Sequence, residues 1–150
     1  MRRTLHVAAA AALVLAVAAE GRAHCQVPCG IYDDTARIAA MREDATTIAK
    51  AATRIRELAA EHDGQSMNQL VRWTNTKEAH ASNIIQVVSE YFLTQKVKPV
   101  AAGAEGHDTY LESLAAHHAV MNAAMKAKQN VDAKTMNALE TAIEGLASHY

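Results

Sequence analysis

Apolar residues recur at alternating spacings of three and four along four stretches of this chain, the period of a helix with one buried face. In the first stretch Ile38, Met41, Ala45, Ile48, Ala52, Ile55 and Ala59 form a continuous seam. Asp33 or Asp34 can cap its start, and Gly64 is placed to end it. The second stretch carries Leu70, Trp73, Lys77, Ala81, Ile84, Val88 and Tyr91, with Lys77 as the polar intruder. Ser66 and Gln69 have the spacing of a capping box at its beginning. Pro99 and Gly103 mark a break around Val97 to Gly106. A third helix, roughly His107 to Lys128, is expected to face inward with Leu111, Leu114, His118, Met121 and Met125. The fourth, capped by Asp132, carries Met136, Leu139, Ile143 and Leu146. No strand-like alternation competes with these patterns. The first two helices approach ~30 residues, or about 45 Å at 1.5 Å per residue. Short links favour antiparallel neighbours, so the expected fold is all-α, an antiparallel up-down-up-down four-helix bundle.

The residues before the first seam have a different character. Arg2 and Arg3 precede an uncharged apolar run from Val7 to Ala19, and Gly21-Arg22-Ala23 places small residues at −3 and −1 of a cut after Ala23. That is the anatomy of a secretory leader. The run is shorter than the ~20 residues of a membrane-spanning helix. Residues 1–23 are therefore expected to be removed, and the protein to be exported to a periplasmic or extracellular space. Residues 24–150 then form one domain, with a hook at 24–33 and a helical bundle at 34–150. Without Arg2, Arg3, Arg22 and Glu20 the mature chain has 12 basic and 15 acidic residues, a formal charge of −3. No basic run offers a footing for nucleic acid, which demands concentrated positive charge. No later stretch is apolar enough for stable membrane insertion after processing.

Cleavage after Ala23 changes the chemistry of the segment His-Cys-Gln-Val-Pro-Cys-Gly-Ile-Tyr-Asp, His24 to Asp33. His24 becomes the first residue and gains a free α-amine. With a pKa of about 8, that amine can lose its proton to a divalent metal near neutrality. Coordinating thiols are deprotonated outright. His24 can give its amine nitrogen, and Cys25 its sulfur and its own deprotonated amide nitrogen, closing small chelate rings. Cys29 can return to a fourth corner, with Pro28 fixing φ and Gly30 free to redirect the chain. Two nitrogens and two sulfurs in a plane suit a d⁸ ion such as Ni(II), whereas zinc prefers a closed tetrahedron. Such anionic donors also bring Ni(III) within reach, and the His24 imidazole can add an axial fifth ligand.

The pattern His-Cys-x-x-Pro-Cys-Gly-x-Tyr-Asp, held here by His24, Cys25, Pro28, Cys29, Gly30, Tyr32 and Asp33, resembles the N-terminal hook of nickel-containing superoxide dismutases. Ser89-Glu90-Tyr91-Phe92 is similar to that family's Ser-x-Tyr-Phe in the second helix. The resemblance implies a four-helix bundle in which His24, Cys25 and Cys29 bind one nickel ion per subunit. It implies Tyr32 beside the open face of the metal, where substrate approaches, and Tyr91 as its neighbour. Two superoxide anions and two protons would yield O₂ and H₂O₂, and six copies would assemble as a homohexamer. Some positions depart from the family pattern. Gln26 stands where an aspartate is common, and Ala39 and Ala40 occupy the neighbourhood of a carboxylate that steadies the histidine imidazole, with Glu43 a substitute one turn later. Lys77 is a counterpart for a family arginine.

Two other readings stay open from the residues alone. The hook could hold nickel or copper without turnover, or Cys25 and Cys29 could form a disulfide in a structural bundle. Two further cofactor classes fall away. No Glu-x-x-His occurs, as a di-iron bundle needs, and no Cys-x-x-Cys-His, as covalent haem needs. His117 and His118 point about 100° apart on a helix and make a poor chelating pair. The methionines read as core filler rather than a copper site.

Overall fold

Asp33 accepts a hydrogen bond from the Ala36 amide at 2.8 Å, and this cap starts the first helix, α1 (Asp34–Leu58). The computed structural model describes residues 31–150; the expected leader and residues 24–30 of the hook lie outside the described residues. The second helix, α2 (Gly64–Gln86), opens on Asp63 rather than on a Ser66–Gln69 box. One Asp63 oxygen accepts from the amides of Gln65 and Ser66 at 2.9 and 3.0 Å, and the other from the Ser66 hydroxyl at 2.6 Å. A carboxylate with two oxygens satisfies more of the free first-turn donors than a serine hydroxyl does. Gly64 is accordingly the first residue of α2 and not the terminator of α1.

Beyond Gln86 the same rod continues as a π-helical segment, π1 (Val87–Lys96). The Val97 amide donates to the Phe92 carbonyl five residues back at 2.8 Å. Two side chains repeat that reach, Thr94 Oγ1 to the Ser89 carbonyl at 2.6 Å and Gln95 Nε2 to the Glu90 carbonyl at 3.0 Å. The wider winding puts adjacent pairs on one side, so Val87 with Val88 and Tyr91 with Phe92 are all buried. Segments of this kind are rare and occur often at functional sites. Gly103 and Gly106, at φ of 79° and 82°, turn the chain into α3 (His107–Gln129). Asp132 then caps α4 (Ala133–Ala147), accepting from the Thr135 amide at 2.9 Å and its hydroxyl at 2.7 Å.

Cross-helix contacts establish the directions. Asp34 and Asp44 of α1 meet Tyr91 and His80 respectively, so α1 and the α2–π1 rod run antiparallel. Lys128 of α3 reaches Ser82 while His117 lies against Phe92, giving the same relation between the second rod and α3. Arg42 pairs with Glu144 at 2.7 Å and Arg56 bonds the Val131 carbonyl, which closes α4 antiparallel against α1. The described residues thus form the expected up-down-up-down bundle. Its core holds Ile38, Met41, Ala45, Ile48 and Ala52 from α1, Ala81, Ile84 and Val88 from the second rod, and Met136, Leu139, Ile143 and Leu146 from α4. Each large aliphatic side chain so buried stabilises by about 1.5–3 kcal/mol before entropy is counted.

One face differs from expectation. In α3 the buried residues are His117, Val120, Ala124 and Ala127. Leu111 and Met125 are 48 % and 49 % exposed, His118 is exposed, and Leu114 and Met121 are half-buried. The inward stripe is rotated by one residue, and it uses small side chains that let α3 approach its neighbours closely. Lys77 is 3 % exposed. Its ammonium donates to the Ala127 carbonyl at 2.7 Å and to that of Lys128, the last turn of α3, where a cation also meets the negative end of the helix. Among the described residues no helix is long and apolar enough to cross a membrane.

Candidate functional site

Tyr32 lies two residues before α1 begins, half-buried, and its ring meets that of Tyr91 edge to face with centroids 5.9 Å apart and planes at 74°. These two residues stand 59 positions apart in sequence, and the antiparallel crossing of α1 with the second rod joins them at one end of the bundle. Tyr91 is fully buried, and its hydroxyl donates to Asp34 Oδ1 at 2.7 Å. The other Asp34 oxygen takes the Lys96 ammonium at 2.9 Å. Lys96 also stands over the Tyr32 ring, 4.6 Å from its centroid, and the Arg37 guanidinium lies 5.1 Å from that of Tyr91. Both are cation–π distances.

Asp33 and Asp34 therefore divide two tasks. Asp33 spends its carboxylate on the helix cap, while Asp34, one residue on, turns inward to hold a phenol and an amine. Burial pushes the Tyr91 phenol up to about 12, with the hydrogen bond to Asp34 and that residue's negative charge adding to it. Tyr91 keeps its proton throughout the neutral range. It is a poor acid there, and its ring buttresses Tyr32.

The aromatic contacts continue past Tyr91. Phe92 lies with its ring centroid 5.0 Å from that of Tyr91 and 4.6 Å from that of Tyr150, just beyond α4. Tyr150 meets the fully buried His117 edge to face, and its hydroxyl stands 2.9 Å from His117 Nε2. His117 Nδ1 is 2.7 Å from the Ser113 carbonyl, which can only accept, so Nδ1 carries the proton and Nε2 receives the Tyr150 hydroxyl. Burial pushes the His117 imidazole below its ordinary value and His149 adds to that, opposed by the Ser113 bond. The ring is thereby held neutral.

Of the residues expected at the site, Tyr32 and Tyr91 are brought together. His24, Cys25 and Cys29, the expected nickel ligands, lie outside the described residues, as does Gln26. Among the described residues no group of three or more His, Cys, Asp and Glu gathers closely enough to hold a metal. Glu43 is exposed on α1, and the inward carboxylate beside it is Asp44, bound to His80 Nδ1 at 2.6 Å and Asn83 Nδ2 at 2.7 Å. Lys77 sits fourteen positions before Tyr91, or about 21 Å along the rod at the helical rise, against the end of α3. Asp34, Lys96, His117 and Tyr150 were not foreseen at the site, and Phe92 stood only as part of the Ser-x-Tyr-Phe stretch. Of the four, Asp34 left a signal, since one cap cannot use two adjacent aspartates.

A family model described as nickel-containing superoxide dismutase matches residues 19–150. No curated protein and no solved structure matches the chain.

Proposed function

The chain belongs to the nickel-containing superoxide dismutase family, and from that premise we propose that its end beside Tyr32 converts two superoxide anions and two protons to O₂ and H₂O₂. The single observation that carries this reading is the family match extending through both the hook sequence and the bundle. The donor set of the hook fits the metal. The His24 amine, the Cys25 amide and the Cys25 and Cys29 thiolates are a four-donor set that would suit a d⁸ ion and lower the cost of its oxidation, with the His24 imidazole as a further donor for the oxidised metal. One nickel ion per subunit, when bound, supplies the one-electron couple that accepts an electron from one superoxide and returns it to the next.

The remaining chemistry belongs to the protein. Tyr32 follows Cys29 by three residues in the sequence, and by family resemblance its phenol is the group that meets the small anion. Tyr91 supports the Tyr32 ring from behind, and Asp34 holds Tyr91 in place through its hydroxyl. Lys96 contributes positive charge above the Tyr32 ring, and its pairing with Asp34 keeps that field local.

The same proposal extends to processing and assembly. The leader anatomy supports cleavage after Ala23 and export. Met67, Val71, Leu111 and Met125 expose large apolar side chains, which supports association of several copies, six by family resemblance. Metal analysis of the processed protein paired with a superoxide assay tests the central reading. One extra residue before His24 is expected to abolish nickel loading and activity while leaving helicity intact. Cys25→Ser and Cys29→Ser are expected to do the same. Full activity in the extended protein, or a Cys25–Cys29 disulfide in active material, overturns it; stoichiometric nickel without turnover identifies a metal-binding module instead.

A further inference from the structure

Two tyrosines in this bundle donate their hydroxyl protons to a base within hydrogen-bonding distance, and one aromatic ring bridges them. Tyr91 donates to Asp34 at 2.7 Å and Tyr150 to neutral His117 at 2.9 Å, with Phe92 between the two phenols at 5.0 and 4.6 Å. A phenol is hard to oxidise while it keeps its proton, because the radical cation is a very strong acid. A hydrogen-bonded base removes that obstacle by taking the proton as the electron leaves. Tyr91 is fully buried, whereas Tyr150 is 39 % exposed. An electron vacancy is therefore trapped at Tyr91 but open to soluble reductants at Tyr150. Tyr32, in edge contact with Tyr91, ends this row and follows Cys29 by three residues in the sequence.

We propose that Tyr32, Tyr91, Phe92 and Tyr150 form an escape path that carries an oxidising equivalent from Tyr32 to the exposed Tyr150 ring, with Tyr150 as terminal electron donor and His117 as its proton acceptor. The proposal rests on the dismutase reading only for where the oxidant arises, since a centre that handles superoxide and peroxide also meets oxygen-derived one-electron oxidants such as hydroxyl radical. In the step, the oxidant takes one electron, hydroxyl radical becoming hydroxide. The electron comes from the Tyr150 phenol by way of Phe92 and Tyr91. The Tyr150 O–H bond breaks and its proton passes to His117 Nε2, leaving a neutral phenoxyl radical beside an imidazolium. A soluble reductant of the ascorbate class returns the electron at the exposed ring, and the imidazolium returns the proton. The hook thiolates, Cys25 and Cys29, are spared irreversible oxidation by this diversion.

The test uses metal-free full-length protein, so its outcome is independent of nickel loading and dismutation. A ruthenium polypyridyl photo-oxidant is tethered to Cys29 in the Cys25→Ser variant, placing the oxidant near Tyr32. After flash-quench oxidation, tyrosyl radicals are captured with a nitroso spin trap and located by peptide mass spectrometry. Adducts are expected chiefly on Tyr150, and are expected to be lost from it in Phe92→Leu and in His117→Leu. Tyr110, half-buried on α3 outside the row, serves as the control for non-specific oxidation. Adducts confined to Tyr32 and Tyr91, Tyr150 labelling that survives Phe92→Leu, or equal labelling of Tyr110 overturns the proposal. If the core variants lose helicity, Tyr150→Phe decides, read by electron paramagnetic resonance on freeze-quenched samples without a trap: a longer-lived tyrosyl radical is expected on Tyr91 and to be lost in Tyr91→Phe/Tyr150→Phe, and an unchanged radical lifetime overturns the path.

Discussion

The Tyr91 hydroxyl donates to Asp34 Oδ1 at 2.7 Å, tying the first turn of α1 to the π-helical end of the second rod. This bond explains how a loosely wound segment and a helix start keep Tyr32 and Tyr91 in contact. Asp34→Ala removes the acceptor and also frees Lys96. Leaving the buried Tyr91 hydroxyl unpaired is expected to cost about 1–3 kcal/mol, read by urea denaturation. Superoxide turnover is expected to fall while nickel content holds, because the proposed ligands are untouched and only the support of Tyr32 is weakened. Unchanged stability would show that Tyr91 needs no partner here.

The phenols of Tyr91 and Tyr150, both pushed up to about 12, give an alkaline signature. Each favours its neutral form in the folded state. The stability this contributes is therefore whole below the unfolded value of about 10 and is lost as pH rises from there through about 12. Phenolate absorbance is expected to show two late-ionising tyrosines, and Tyr91→Phe and Tyr150→Phe are each expected to remove one.

His117 acts in the opposite direction. Its folded-state value lies below the ordinary imidazole value, so the unfolded chain binds its proton first. Its contribution to stability is present above about pH 6.5 and declines as pH falls below that. The melting temperature is expected to drop between neutrality and mild acid, before the carboxylate range is reached. His117→Gln is expected to flatten that slope; an unaltered slope would place its origin elsewhere.

Lys77→Met keeps the volume of the side chain but removes the ammonium from the α3 carbonyls. The expected loss is about 1–3 kcal/mol of stability, measured by chemical denaturation, with nickel content and specific activity unchanged. Loss of activity at full stability would instead make Lys77 a functional counterpart of the family arginine.

The bundle was legible because three of its four buried faces repeat with large residues against polar ones. Ile38, Met41, Ala45 and Ile48 allow one reading, as do Met136, Leu139, Ile143 and Leu146. In α3 the alanines at 115, 116, 119, 123, 124 and 127 make almost every face apolar, so spacing alone cannot orient the helix. Weighting by size then favours Leu111 and Met125, which the packing leaves outside. The Tyr32–Tyr91 pairing was accessible from motif resemblance, but nothing in local periodicity links it to Asp34 or Lys96. Those partners, like Tyr150 for His117, are made by helix crossings that bring distant positions together. The π winding of Val87–Lys96 was equally hidden, since Val88 and Tyr91 fit an α-helical seam and the departure lies in the backbone hydrogen bonds.

That winding has a consequence for any attempt to edit the protein. A π turn accommodates more residues per revolution than an α turn, so the stretch shifts the phase of its own Tyr91 and Phe92 relative to the seam upstream. Removing one residue from it before Tyr91 would let the rod revert to ordinary winding without a break. Every side chain beyond the deletion would then swing around the axis, and Phe92 would no longer be presented to Tyr150 and His117. Helical content would survive such an edit; the alignment of the rings would not.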